Sequence, residues 1–299
     1  MGVSTLFSPL IANTTRWFVR RRGLAVALVA SGQSVSGAIW PHVFRYSNET
    51  YGWKETYLWF GLFTLLTMLL VGTVVKRAPP GHGGATKGAA PTLRHSEDRV
   101  LGLHPNLVLF CLFLAVICCC GAMAMPLVHL VSYASDIGLP TRRAAELLSV
   151  ALAVSFASRF ALGALSDRVG GLRTLLVGSG LQAISLLLFA EVHSLAGLFV
   201  VAIIFGLGFG GIVPSYAIII RDLFPAHGIG WRIPSVLMGG AIGMAVGGWL
   251  GGHIFDMTGS YHLAFYLGLA FNIGNLAIIG TLFARWKRRG GLTPAAMPA

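Results

Sequence analysis

One charged side chain lies deep in an apolar run, and it is the residue here best suited to chemistry. Arg159 belongs to the stretch from Glu146 to Leu176, ELLSVALAVSFASRFALGALSDRVGGLRTLL, six residues before the run breaks at Leu165. An arginine so placed is costly unless it faces a wet cavity, finds a partner or snorkels to the interface. Its guanidinium fork matches a carboxylate bidentately and does not lose its proton. Arg159 is therefore a candidate contact for a small organic anion, with a purely structural arginine as the alternative.

The charged turn that follows, Ser166 to Arg173, is too short to hold a large ligand. Asp167, Arg168 and Arg173 supply its charge beside Gly163 and Gly170, and by residues alone it reads as a topogenic loop. Three further polar side chains could reach a substrate. Tyr216 follows Gly206, Gly208, Gly210, Gly211 and Pro214, a break that invites a bend. His129 sits beside Met123, Met125 and Pro126, and Gln33 lies near mid-span, as do Asn272 and Asn275. Such side chains more often hydrogen-bond a neighbouring helix than a substrate, and Tyr216, then His129, rank first as substrate contacts.

Other chemistries fall away. His253 and Asp256 are three residues apart with no nucleophile beside them, so no enzyme is expected. Cys111, Cys118, Cys119 and Cys120 share one apolar span and read as small packing residues, so neither metal nor cofactor is expected.

The elements that must position these residues are membrane helices. Hydrophobic residues make up 55% of the 299, charged residues 11%, and mean hydropathy is +0.75, whereas a soluble globule is roughly a quarter charged. Apolar runs long enough to cross a bilayer predict eight spans, at residues 23–45, 55–76, 106–131, 144–165, 174–191, 196–220, 232–256 and 263–284. Residues 2–15 look like the end of a ninth. Gly239, Gly243, Gly247 and Gly251 recur every four residues and offer a smooth face for helix packing.

Of the 22 Lys and Arg, 17 fall in alternate loops, which explains the net charge of +12 without a nucleic-acid partner. Those loops, and the carboxyl terminus with them, are expected to be cytoplasmic. Asn48-Glu49-Thr50, an N-glycosylation sequon, then faces outward.

An internal repeat sets the organisation. Pro9 and Arg16 recur as Pro214 and Arg221, and Gly52, Gly61 and Leu62 as Gly259, Gly268 and Leu269. The unit at 2–76 thus reappears at 207–284, with three more helices before the second copy only. The expected fold is an all-α polytopic membrane protein of two bundles. Residues 1–76 form a partial amino-terminal bundle lacking about its first three helices, 77–104 a flexible cytoplasmic linker, 105–284 a six-helix bundle and 285–299 a cytoplasmic tail.

Two loops carry a family resemblance. Gly163, Asp167, Arg168, Gly170 and Arg173 in GALSDRVGGLR, with Trp17-Phe18 and Arg21-Arg22-Gly23-Leu24-Ala25, resemble loop signatures of the Major Facilitator Superfamily, in its monocarboxylate transporter and oxalate/formate antiporter branch. The resemblance implies a two-bundle carrier. It implies that the turn holding Gly163, Asp167, Arg168, Gly170 and Arg173 latches the inward-facing gate, with Asp167 near the positive end of the helix starting at Gly23 and within reach of Arg16, and that Tyr216 and His129 lie on cavity helices. The chain departs from the pattern where Gly171 and Leu172 precede Arg173, where Ser155 replaces the aspartate of proton-coupled members, and where Gly240 matches the lysine of the oxalate carrier.

The expected activity is secondary active transport of a small organic anion, a monocarboxylate first, by alternating access in a plasma membrane or bacterial inner membrane. A coupling proton would travel on substrate, on a histidine or through helices outside this chain. The alternative is a receptor, regulatory protein or inactive product that keeps the bundle.

Overall fold

The computed structural model describes residues 14, 18, 22–75, 99–224 and 229–289. Of the expected partial helix at 2–15 only residue 14 is described, and Arg16 and residues 76–98, 225–228 and 290–299 lie outside that set. Nine helices form among the described residues: α1 (Arg22–Tyr51), α2 (Trp53–Val75), α3 (Pro105–Asp136), α4 (Thr141–Val169), α5 (Gly171–Glu191), α6 (Leu195–Phe209), α7 (Ile212–Leu223), α8 (Ile229–Thr258) and α9 (His262–Arg288). No strand accompanies them there. An isolated bridge pairs Val100 with Leu103.

Seven spans among these residues are long and apolar enough to cross a membrane, with α6 and α7 counting as one, Leu195–Leu223. The expected span at 23–45 is not among them. It forms the first part of a 30-residue helix, but only Gly23–Gly32 is strongly apolar, because Gln33, Ser34, Ser36, His42 and Arg45 dilute the remainder. The expected span at 196–220 is interrupted instead. Backbone pairing lapses at Gly210–Gly211, although both residues keep right-handed helical dihedrals. Pro214 has no N–H to offer the Gly210 carbonyl, which accounts for the lapse.

The chain divides into two compact units, residues 31–96 and residues 1–30 with 97–299. In the smaller unit, Trp40 and Phe44 of α1 meet Phe60 of α2 edge-on, with centroids 4.7 and 4.8 Å apart. The rest of α2 shows its apolar side chains to the surroundings, as a helix does in lipid or against further helices.

In the larger unit, α3 is the central element. It packs most extensively on α8 and also on α9, while α9 lies on α5 and α6 on both α4 and α5. Local sequence sets the helix ends. Ser194 accepts a hydrogen bond from the Gly197 N–H at the start of α6, and His104 caps α3 ahead of Pro105 at its first position. Leu101 (φ 54°) and Gly102 (φ 77°) make a tight left-handed turn before α3, closed by Leu103 N–H donating to the Val100 carbonyl at 2.9 Å. The last residues of the expected linker are thus ordered against the core.

The glycine face of α8 is turned to α3. A methyl group at Gly239 would meet Phe113 and Val116, at Gly243 the Ile117 carbonyl, at Gly247 the Gly121 backbone and at Gly251 the His129 ring. The two helices therefore touch backbone to backbone, which maximises dispersion contact where lipid supplies no hydrophobic drive.

Candidate functional site

The residues with chemical potential fall into two groups in the larger unit. The first is the seam between the last turns of α4 and the first turns of α1. The close approach comes from two glycines. A methyl at Gly163 would fall 2.8 Å from the Gly23 carbonyl and 2.9 Å from the Ala27 methyl, and one at Gly23 would strike Ser166 and the Gly163 carbonyl.

Above this contact, Asp167 Oδ1 accepts from the Gly23 N–H at 2.6 Å and Oδ2 from the Leu24 N–H at 3.2 Å. An aspartate is unfavourable at the negative end of its own helix. Here its carboxylate instead satisfies two orphan donors at the positive end of α1. Two turns earlier on α4, Arg159 Nη1 donates to the Ala30 carbonyl of α1. Its Nε is buried with no hydrogen-bond partner, an arrangement that costs about 1–3 kcal/mol or more for a charged donor.

The remaining latch residues disperse. Arg168 is exposed in the last turn of α4. Gly170 alone joins α4 to α5, with φ 86° and ψ 161°, a region essentially reserved for glycine. Arg173 lies over the rings of Phe283 and Trp286 on α9, 5.7 and 5.5 Å from their centroids. Arg16 and the Gln33 side chain lie outside the described residues.

The second group is a polar layer inside the bundle. Tyr216 is fully buried and its hydroxyl donates to Asn275 Oδ1 at 2.7 Å. Asn275 Nδ2 donates to Ser179 Oγ at 2.9 Å, and Asn272 Nδ2 to the Ser179 carbonyl at 2.7 Å. One turn along α5, Gln182 Nε2 donates to the Cys119 carbonyl at 3.2 Å, and the Cys119 thiol points back to Gln182 Oε1 at 3.6 Å. The layer ties α3, α5, α7 and α9 together, and the Tyr216 hydroxyl is occupied by protein in this conformation. Ser179 and Gln182 escaped the sequence reading, although their i, i+3 spacing on an apolar helix mirrors that of Asn272 and Asn275.

His129 belongs to neither group. Its Nε2 is 2.9 Å from the Gly248 carbonyl, an acceptor, so that nitrogen carries the hydrogen. The ring leans on Gly251 and lies 5.1 Å from the Tyr261 ring. His129 thus fills the notch left by small residues of α8. Among the described residues no cluster of three or more His, Cys, Asp or Glu could hold a metal ion.

The geometry can therefore do two things. It ties α1 to α4 through Asp167, and it keeps a buried Arg159 N–H without a hydrogen-bond partner.

Comparisons with known proteins agree with this architecture. The family model described as Major Facilitator Superfamily matches residues 1–232 and 112–296. Monocarboxylate transporter 13 of Rattus norvegicus is 28% identical over 283 residues, covering 94% of this chain and 64% of the relative. An agnestins efflux protein of Paecilomyces divaricatus is 25% identical, covering 98% of this chain and 64% of that protein. The chain thus spans somewhat under two thirds of the length of these relatives. Among solved structures, the Escherichia coli fucose:proton symporter FucP superposes with a TM-score of 0.64 at 15% identity, over 94% of this chain and 73% of that one. At that identity the likeness concerns the fold alone. With a family model covering most of its length, seven membrane-spanning segments and this fold, the chain belongs to the Major Facilitator Superfamily.

Proposed function

We propose that the protein is a secondary active carrier of a small organic anion, a monocarboxylate first, and that α1 and α4 part and rejoin during alternating access. The observation that carries this reading is the Arg159 guanidinium, held to the Ala30 carbonyl through Nη1 and left with a buried, unpartnered Nε. A carboxylate would satisfy that donor and neutralise the charge. Because Nε is closed off in this conformation, the anion reaches it once the seam opens. Asp167 would stabilise the closed seam, and its two backbone hydrogen bonds would be given up as α1 moves.

Names of relatives support the cargo class, since two monocarboxylate transporters, numbered 13 and 3, are similar over 94% and 89% of this chain. Carboxyl-terminal sidedness on the cytoplasmic face follows from the loop charges. The test is uptake of labelled pyruvate into liposomes containing the full chain. Saturable uptake, abolished in Arg159→Ala and strongly reduced in Arg159→Lys, is the expected result. Equal uptake by wild type and Arg159→Ala would end the substrate role of the arginine, and absence of saturable anion uptake in any variant would end the carrier reading.

A further inference from the structure

At the far end of α9, three arginines surround one cavity. Arg285, Arg288 and Arg289 line a volume of about 410 Å³ together with Thr281, Ala284 and the left-handed turn at Leu101–Gly102. This cavity is separate from the α1–α4 seam and from the buried polar layer. We infer that it is a binding site for a phosphomonoester anion, the phosphorylated headgroup of an acidic membrane lipid being the occupant its position favours.

The lining supports that class. One wall is apolar, from Leu101 and Ala284, and Leu101 also packs against the hydrophobic core. The other wall carries three permanently charged forks, whose planar donors match phosphate oxygens bidentately. A phosphomonoester brings close to two charges and three acceptor oxygens, more than one carboxylate could offer to three guanidinia. The Thr281 hydroxyl donates to the Ile278 carbonyl at 2.7 Å, so the donors for an anion here are the guanidinium N–H groups.

The turn is shaped for the cationic wall. Gly102 has φ 77°, and a methyl there would lie within 2.7 Å of Arg289 Cζ, so the backbone lies directly against the guanidinium. Leu101 holds φ 54°, where a branched side chain costs about 1–2 kcal/mol. The position is also apt. α9 is a membrane-spanning helix, and its last turn, with Arg285, Lys287 and Arg288, is where such a helix leaves the hydrocarbon for the headgroups. On the loop-charge topology this is the cytoplasmic leaflet, where acidic lipids concentrate and juxtamembrane basic clusters recognise them.

The purified full chain in detergent, titrated with short-chain phosphatidylinositol bisphosphate and followed by thermophoresis, tests the site. Saturable binding is expected, with short-chain phosphatidylcholine at least tenfold weaker. Arg285→Gln/Arg288→Gln/Arg289→Gln should weaken bisphosphate binding at least tenfold. Because removing three positive charges can disturb insertion, Ala284→Phe provides a second test that fills the cavity and leaves charge unchanged; it too should weaken binding tenfold. Arg142→Gln/Arg143→Gln, whose partners include Glu146, should bind as wild type. Competition by inositol trisphosphate at equal affinity would identify a soluble phosphomonoester as occupant, and failure to compete would identify the lipid. Unaltered binding in both cavity variants, or equal binding of phosphatidylcholine, would overturn the inference.

Discussion

The Asp167 carboxylate oxygen lies 2.6 Å from the Gly23 amide nitrogen, joining the end of one membrane helix to the beginning of another. Hydrogen bonds to a charged acceptor contribute about 1.5–3 kcal/mol, and an asparagine amide retains an acceptor but no charge. Asp167→Asn should raise hydrogen exchange at the Gly23 and Leu24 amides about tenfold, with the membrane-embedded amides of α3 unchanged. Unaltered exchange at both amides would show that the carboxylate does not hold the seam.

Backbone contact between α3 and α8 makes those glycines intolerant of a single methyl. In Gly247→Ala the new carbon meets the Gly121 backbone, and overpacking of this kind costs about 1–3 kcal/mol. Gly280→Ala, on α9 with open space around it, should leave thermal unfolding in detergent unchanged. A fall in unfolding temperature for Gly247→Ala alone is the expected pattern.

Gly170→Ala separates backbone strain from packing. Nothing lies within 4 Å of a methyl placed there, yet the dihedrals suit glycine alone, and the strain is worth about 1–3 kcal/mol. Lower thermal stability without altered helix packing is expected. Full stability would mean that the joint tolerates an ordinary residue.

The polar layer should behave as a coupled unit. Tyr216→Phe leaves Asn275 Oδ1 without that donor, and Asn275→Leu leaves the tyrosine hydroxyl unpaired in the interior. Each should cost about 1–2 kcal/mol. The double variant should cost less than the two losses added, because it removes both partners of one bond. Strict additivity in a thermal-unfolding cycle would deny the coupling.

Much of this architecture could be read from residue order, because membrane helices are written as long apolar runs and their packing faces as small-residue periods. The α8 glycines are the clear instance. Each points at α3, and the spacing alone named them. The first expected span was less legible: a helix through Ser31–Arg45 is set by the packing of aromatic side chains such as Trp40 and Phe44, and its hydropathy is low. The meeting of Asp167 with Gly23 is invisible to periodicity, since the residues are 144 positions apart, and only the family resemblance put them together. Tyr216 shows the opposite difficulty. Its depth could be inferred, but whether its hydroxyl faced a cavity or an asparagine depended on the rotation of α7 against α9, which no single-helix pattern encodes. The stacking of Arg173 over Phe283 and Trp286 was hidden for the same reason.

Gly170 separates α4 from α5 by a single residue, and its amide is tied back to the Ser166 carbonyl at 2.9 Å. With so little slack, the two helices form a hinge pin with no free play. A displacement at the end of α4 would therefore carry directly into the foot of α5, and through Arg173 to the aromatic pair on α9, with no slack residue between them to absorb it.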